Sequence, residues 1–228
     1  MTNQLFPLLQ LSDSNFPSGA FSHSFGLETY IQEGVIADTE SFKQALVIYV
    51  EKQLKYIDGL ACRLGYEALR TDDFSSFFEL DQLLHVSCLA EETRLGNKRI
   101  GERMAKLCYE LYPSEALLKY LMFLKEKQAH GHSALVFATV AYELQLDIET
   151  AVETYLFTTL SSLVQNAVRG IPLGQTDGQR ILVELQTDLK KVVEGIFSLT
   201  IDDLGAISPG LEVAQMCHER LHVRLFMS

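Results

Sequence analysis

Apolar residues recur at helical spacing through nearly the whole chain. Ile148, Val152, Tyr155, Leu156, Leu163, Val164 and Ala167 share one face, and Leu182, Leu185, Leu189, Val192, Val193 and Ile196 share another. Neither stretch contains an internal proline, and both outrun an ordinary strand. Asp147 is placed to cap the first and Gly170 to stop it. Asp38 or Thr39 begins a further helix running towards Tyr56, and residues 60–69, 74–88 and 91–112 carry the same spacing. Ser114 precedes Glu115 as a cap, and Ser208-Pro209 is a cap followed by proline at the first helical position. Strand-like alternation never persists. Breaks are expected at Asn15 to Gly19, Gly34, Asp58-Gly59, His130-Gly131 and Ile171 to Gly178. None is a long linker, and no repeat interrupts the pattern. The expectation is an all-α fold: one irregular single-domain helical bundle over residues 1–228, with roughly eight to ten helices.

A chain of 228 residues can bury a large core without disulfides or a structural metal. Its hydrophobic content of 47% leaves apolar surface for partners. The formal net charge of -11 repels phosphate backbones and anionic leaflets, which argues against nucleic acid or membrane as a partner. Met1 to Gln10 lacks the basic start and apolar run of a signal peptide, and no run approaches the roughly 18 apolar residues of a membrane span. Cys62, Cys88, Cys108 and Cys217 are scattered without a Cys-x-x-Cys pair. They read as reduced thiols of a cytoplasmic protein.

Nucleotide and hydrolase motifs are absent. There is no Gly-x-x-x-x-Gly-Lys-Ser/Thr loop, no Gly-x-Gly-x-x-Gly after a strand and no Gly-x-Ser-x-Gly elbow. One motif points to an enzyme: His218-Glu219-Arg220-Leu221-His222 matches His-Glu-x-x-His. On a helix it would present two zinc ligands one turn apart, with Glu219 as the base of a small metallopeptidase. The sequence stops at Ser228, leaving no room for a third ligand, and no strand offers an edge for a peptide. His130-Gly131-His132 reads as polar residues at a helix entrance, or as a loose two-nitrogen metal site. Glu91, Glu92, Asp72 and Asp73, with Arg94, Lys98 and Arg99 at helical spacing, read as surface ion pairing.

Two loops and one tail carry more specific chemistry. Asn15-Phe16-Pro17-Ser18-Gly19-Ala20-Phe21 holds apolar side chains that a solvent loop does not need. Ile171 to Gln179 mixes apolar and polar groups. The tail, about 216–228, combines Leu221, Val223, Leu225 and Phe226 with Arg220 and Arg224. It either docks on its own core or orders on a partner, and apolar-plus-arginine composition suits an interface anchor.

At these residues the chain resembles the UreF family of urease accessory proteins. The resemblance rests on the run Leu8 to Glu28, on Pro172-Leu173-Gly174-Gln175-Thr176-Asp177-Gly178-Gln179, and on the ending His218-Glu219 with Arg224-Leu225-Phe226-Met227-Ser228. Ala20 departs from the glycine or serine frequent there, and Cys217 from a longer, often basic, side chain. The resemblance implies an all-α homodimer without cofactor or catalytic residue. It implies a cytoplasmic scaffold that binds UreD (UreH in some organisms) and recruits the GTPase UreG, so that nickel reaches apo-urease. Phe21, His23 and Glu28 would organise the tail or the dimer. Arg169, by the resemblance, belongs to the surface facing UreG, and the tail around Arg224 and Phe226 resembles the segment that orders against UreD. Pro172, Gln175, Asp177, His218, Glu219, Arg220 and Leu225 are further candidate partner-binding residues.

Overall fold

The protein is described here from a computed structural model covering residues 4–171, 173–205 and 208–228. Its elements are α1 (Leu5–Leu11), a 3-10 turn (Ala20–Ser22), α2 (Leu27–Gln32), α3 (Thr39–Tyr49), a π-helical segment (Val50–Gly59), α4 (Leu60–Arg70), α5 (Phe74–Ser87), α6 (Glu91–Leu111), α7 (Glu115–Lys125), α8 (Ser133–Glu143), α9 (Ile148–Gly170), α10 (Gln175–Ile196), a second 3-10 turn (Ile201–Asp203) and α11 (Pro209–His218). No strand occurs among the described residues. The fold is all-α, as expected.

Local chemistry sets most boundaries. Asp38, Asp73, Ser114 and Asp147 each accept a backbone N–H from the third residue onward, at 2.9, 3.0, 3.2 and 3.1 Å. Ser208 sits at the N-cap of α11 with Pro209 inside, but its side chain makes no capping bond. α8 is the central rod, with every residue from Ala134 to Ala141 buried. It packs against α4, α6 and α9, while α10 covers α9 and the π segment. One continuous apolar cluster reaches from Leu11 to Leu211.

Two expected breaks are corrected. Asp58-Gly59 does not interrupt the chain: α3, the π segment and α4 form one continuous rod. Gly59 has helical dihedrals, φ -70 and ψ -42. A Cβ there would lie 2.5 Å from Ile196 Cδ1, 2.9 Å from the Leu54 carbonyl oxygen and 3.1 Å from Leu156 Cδ1. The glycine admits α9 and α10 at close range; it does not end a helix. The break at Ile171 to Gly178 is also shorter than expected, because α10 begins at Gln175 and takes in Asp177 and Gly178.

Candidate partner-docking site

The amino-terminal segment lies antiparallel along α6. Tyr112 donates to Gln10 Oε1 at 2.5 Å near one end, and the His23 ring rests on Gly96 near the other. Between them the chain turns at Gly19 beneath Arg103. Gly19 has φ +93, and a Cβ there would lie 2.8 Å from Arg103 Nη1, so both backbone and space require glycine. α9 fixes the turn from the other side. Asn166 Nδ2 donates to the His23 carbonyl at 2.8 Å. Arg169 donates to the Phe21 carbonyl at 3.3 Å and to Asn166 Oδ1 at 2.5 Å. Phe21 itself remains 55% exposed.

The tail folds back onto this turn. Glu28, in the first turn of α2 and 1% exposed, is its main anchor. It accepts from the Leu225 N–H at 2.6 Å and the Phe226 N–H at 3.1 Å, and faces His218 Nε2 at 2.9 Å. The other ring nitrogen of His218 faces Glu92 of α6 at 2.8 Å, and Arg224 donates to Glu92 at 2.6 Å. Each ring nitrogen of His218 thus faces a carboxylate oxygen. Burial pushes the Glu92 carboxyl up, but hydrogen bonds from His218 and Arg224 outweigh it and hold it below its ordinary value. Beyond Phe226, Met227 N–H donates to the Ser22 carbonyl at 2.8 Å. The Ser228 carbonyl accepts from the N–H groups of Ser24 and Phe25 at 2.6 and 3.1 Å. The consecutive N–H groups of Ser24 and Phe25 thus converge on one oxygen, and the chain then turns at Phe25, φ +52, and Gly26, φ +91. Ser228 Oγ lies 2.8 Å from His23 Nδ1. Burial, reinforced by Arg99, His218 and Arg103, pulls the His23 imidazole down to about 4, so it is neutral at physiological pH. Phe226 is buried, whereas Val223, Leu225 and Met227 are 66%, 63% and 54% exposed. The anchored tail therefore presents an apolar face outward.

Beneath the turn lies a cavity of about 330 Å³, reached by Phe21 and Arg169 on one side and by Asp58, Tyr155, Thr93 and His132 within. Desolvation raises the Asp58 carboxyl to about 7 against hydrogen bonds from Gln53 and Tyr155. Asp58 is half-buried and lines the cavity.

The UreF family model matches residues 36–186. A urease accessory protein UreF of Bacillus sp. (strain TB-90) is 63% identical over 226 residues, covering 99% of this chain and 100% of that protein. The chain belongs to the UreF family. UreF of Geobacillus kaustophilus (strain HTA426) is 51% identical over 225 residues, covering 99% of this chain and 98% of that protein. UreF of Lachnoclostridium phytofermentans is 48% identical over 228 residues, spanning both chains completely. These UreF matches run the length of the chain and so include the turn and the tail that lie outside residues 36–186.

The structure brings Phe21, His23, Glu28, Arg169, His218, Arg224, Leu225 and Phe226 into one site. Arg169 adjoins the tail, since a Cβ on Gly170 would lie 3.7 Å from Phe226 Cε2. Gln175 is exposed and Asp177 half-buried at the start of α10, where Asp177 pairs with Arg180 at 2.9 Å. Pro172 lies outside the described residues. Glu219 and Arg220 are exposed in the turn after α11.

Other expectations are revised. The His-Glu-x-x-His reading fails on geometry: α11 ends at His218, so Glu219 to His222 leave the helix, and His218 is fully buried between carboxylates while His222 is exposed. Among the described residues no group of three or more His, Cys, Asp or Glu side chains is arranged to hold a metal ion. His130 and His132 diverge. His130 stacks on His85 with ring centres 3.6 Å apart and bonds Gln82, whereas His132 caps α8 by accepting the Ala134 N–H. Surface pairing along α6 was the wrong reading for Glu92, whose partners are the tail's His218 and Arg224. Arg94 instead donates to the carbonyls of Cys88 and Leu89, and Asp73 caps α5. Glu92 and Asn166 are the site residues that sequence reading missed. A helical-spacing rule assigns Glu92 to its own helix, and a lone asparagine on an apolar face carries no signal. Among the described residues no helix is long and apolar enough to cross a membrane.

Proposed function

We propose that this UreF chain is a non-enzymatic cytoplasmic scaffold of urease maturation. It binds UreD (UreH) through the anchored tail and turn, and recruits the GTPase UreG through the face carrying Arg169, Gln175 and Asp177. As a homodimer it couples nucleotide hydrolysis to nickel delivery into apo-urease. The observation that carries this reading is the tail. Buried Glu28, itself paired with His218, holds its backbone while Val223, Leu225 and Met227 are exposed, and ordered apolar surface of this kind marks a protein contact. The names of its relatives supply the urease setting.

Co-purification with UreD and UreG, with and without GTP, tests it. Removing residues 219–228 is expected to abolish UreD capture while circular dichroism stays helical. Arg169→Ala is expected to spare UreD and reduce UreG recruitment. Capture of UreD at the unmodified level by the truncated chain would remove the tail from the interface.

A further inference from the structure

We propose that α6 extends the docking site with a cationic stripe, Arg99, Arg103 and Lys106, that receives an acidic segment of the partner held by the tail. This rests on the reading that UreD docks at the tail, and it adds the chemistry of the UreD surface that must meet it.

The placement follows from α6 itself. Glu92 takes Arg224, Gly96 takes the His23 ring, Arg103 covers Gly19 and Tyr112 takes Gln10. Turn and tail are therefore laid along one helix. Arg99, Arg103 and Lys106 follow one another at helical spacing along that same length, and all are exposed. Arg103 touches the Gly19 turn, and both Arg99 and Arg103 lie close enough to His23 to act on its charge. The stripe thus runs beside the Gly19–His23 turn, which carries the exposed Phe21 and receives the tail with its exposed Leu225 and Met227.

The three cations stand out against the rest of the chain. The net charge is -11, yet among the described residues Arg99, Arg103 and Lys106 form no ion pair or hydrogen bond within the molecule. Of the other charges on α6, Lys98 faces Glu102 at 3.9 Å, Arg94 donates to backbone carbonyls and Glu92 holds the tail. Three uncommitted cations beside an apolar ridge complement a segment that carries carboxylates flanked by apolar side chains. A basic or neutral segment would leave the stripe unmatched. Rim charges of this kind speed encounter and fix register, while the apolar ridge supplies contact area.

The test measures binding of purified UreD to the full-length chain at sodium chloride concentrations stepped from low to high. Wild-type affinity is expected to fall steeply as salt rises. The triple variant Arg99→Glu, Arg103→Glu, Lys106→Glu is expected to bind about tenfold or more weakly at low salt and to lose most of the salt dependence. Arg103 also packs on Gly19, so the double variant Arg99→Glu, Lys106→Glu, which leaves that contact intact, is expected to move the same way. Arg99→Lys with Arg103→Lys should retain binding. Wild-type affinity and salt response in the folded double variant would overturn the stripe. The chain lacking residues 219–228 separates the two ideas: if it alone loses UreD, the tail reading stands without the stripe, and if it binds normally, the tail reading itself has failed.

Discussion

Glu28→Ala is expected to release the tail without melting the bundle. Glu28 is 1% exposed and its carboxylate meets three groups: the N–H of Leu225, the N–H of Phe226 and the His218 ring. Hydrogen bonds to a charged group contribute about 1.5–3 kcal/mol each. Truncation also strands their buried donors beside an empty pocket, and each buried donor left unsatisfied costs about 1–3 kcal/mol. The remaining ties are the Ser228 bonds to the 24–25 turn and to His23, Met227 to Ser22 and Arg224 to Glu92. A loss of at least 3 kcal/mol raises the population of the open tail by about a hundredfold or more, since each 1.4 kcal/mol is a factor of ten. The reporter should be the Met227 amide, which bonds to the Ser22 carbonyl and not to Glu28. Its hydrogen exchange measures opening of the tail and not loss of its own acceptor. Exchange at Met227 is expected to accelerate by about that hundredfold, with central helix α8 unchanged. Glu28→Gln should fall between, because its amide offers one oxygen to the donors and turns an NH₂ towards the rest. Met227 protection within about twofold of wild type in Glu28→Ala would refute the anchor, because the calculation requires far more.

Asp58 links stability to pH. Its folded value near 7 lies above the ordinary 3.8, so the protonated form is favoured in the native state; this contribution is full below about 4 and is lost as pH rises through 7. Asp58→Asn should therefore gain stability over wild type at pH 8 relative to pH 5, by at most about 2.7 kcal/mol in chemical denaturation, and an equal offset at both pH values would refute the assignment. Gly59→Ala should be destabilising by about 1–3 kcal/mol in chemical denaturation, against the helix propensity of alanine, because its Cβ overlaps Ile196 and the Leu54 carbonyl; a stabilised variant would show that α10 can retreat. Asp81 accepts from Tyr120 Oη at 2.5 Å and from the His130 and Gly131 N–H groups at 2.6 and 3.0 Å. Asp81→Ala should cost about 3 kcal/mol or more by the same assay, and a loss below about 1 kcal/mol would show that the 130–132 turn holds without it.

What the sequence made legible follows from which interactions are local. The faces of α9 and α10 were readable because each helix has one side against the core and one in solvent, so its apolar residues fall at 3.6-residue intervals. Asp38 and Asp147 were readable because a cap bonds its own helix three residues on. α8 gave no such face: Ala134 to Ala141 are buried on every side, and a helix surrounded by others has no polar stripe to mark its phase. Gly59 misled for a related reason. In sequence it resembles a stop, while its role depends on Ile196 and Leu156, whose contact with it cannot be inferred from neighbours in the chain. The docking site divides along the same line. Its turn, apolar where a solvent loop would not be, and its apolar-basic tail were visible as unusual composition. The connections that make them one site run from Glu28 to Leu225 and from Glu92 to Arg224, across 197 and 132 residues. Spacing along a single helix put Glu92 with Arg94, Lys98 and Arg99, and this error is informative. Glu92 lies seven residues from Arg99, outside the i,i+3 and i,i+4 reach of a helical pair, so its carboxylate was free for the tail, and among the described residues Arg99 forms no ion pair.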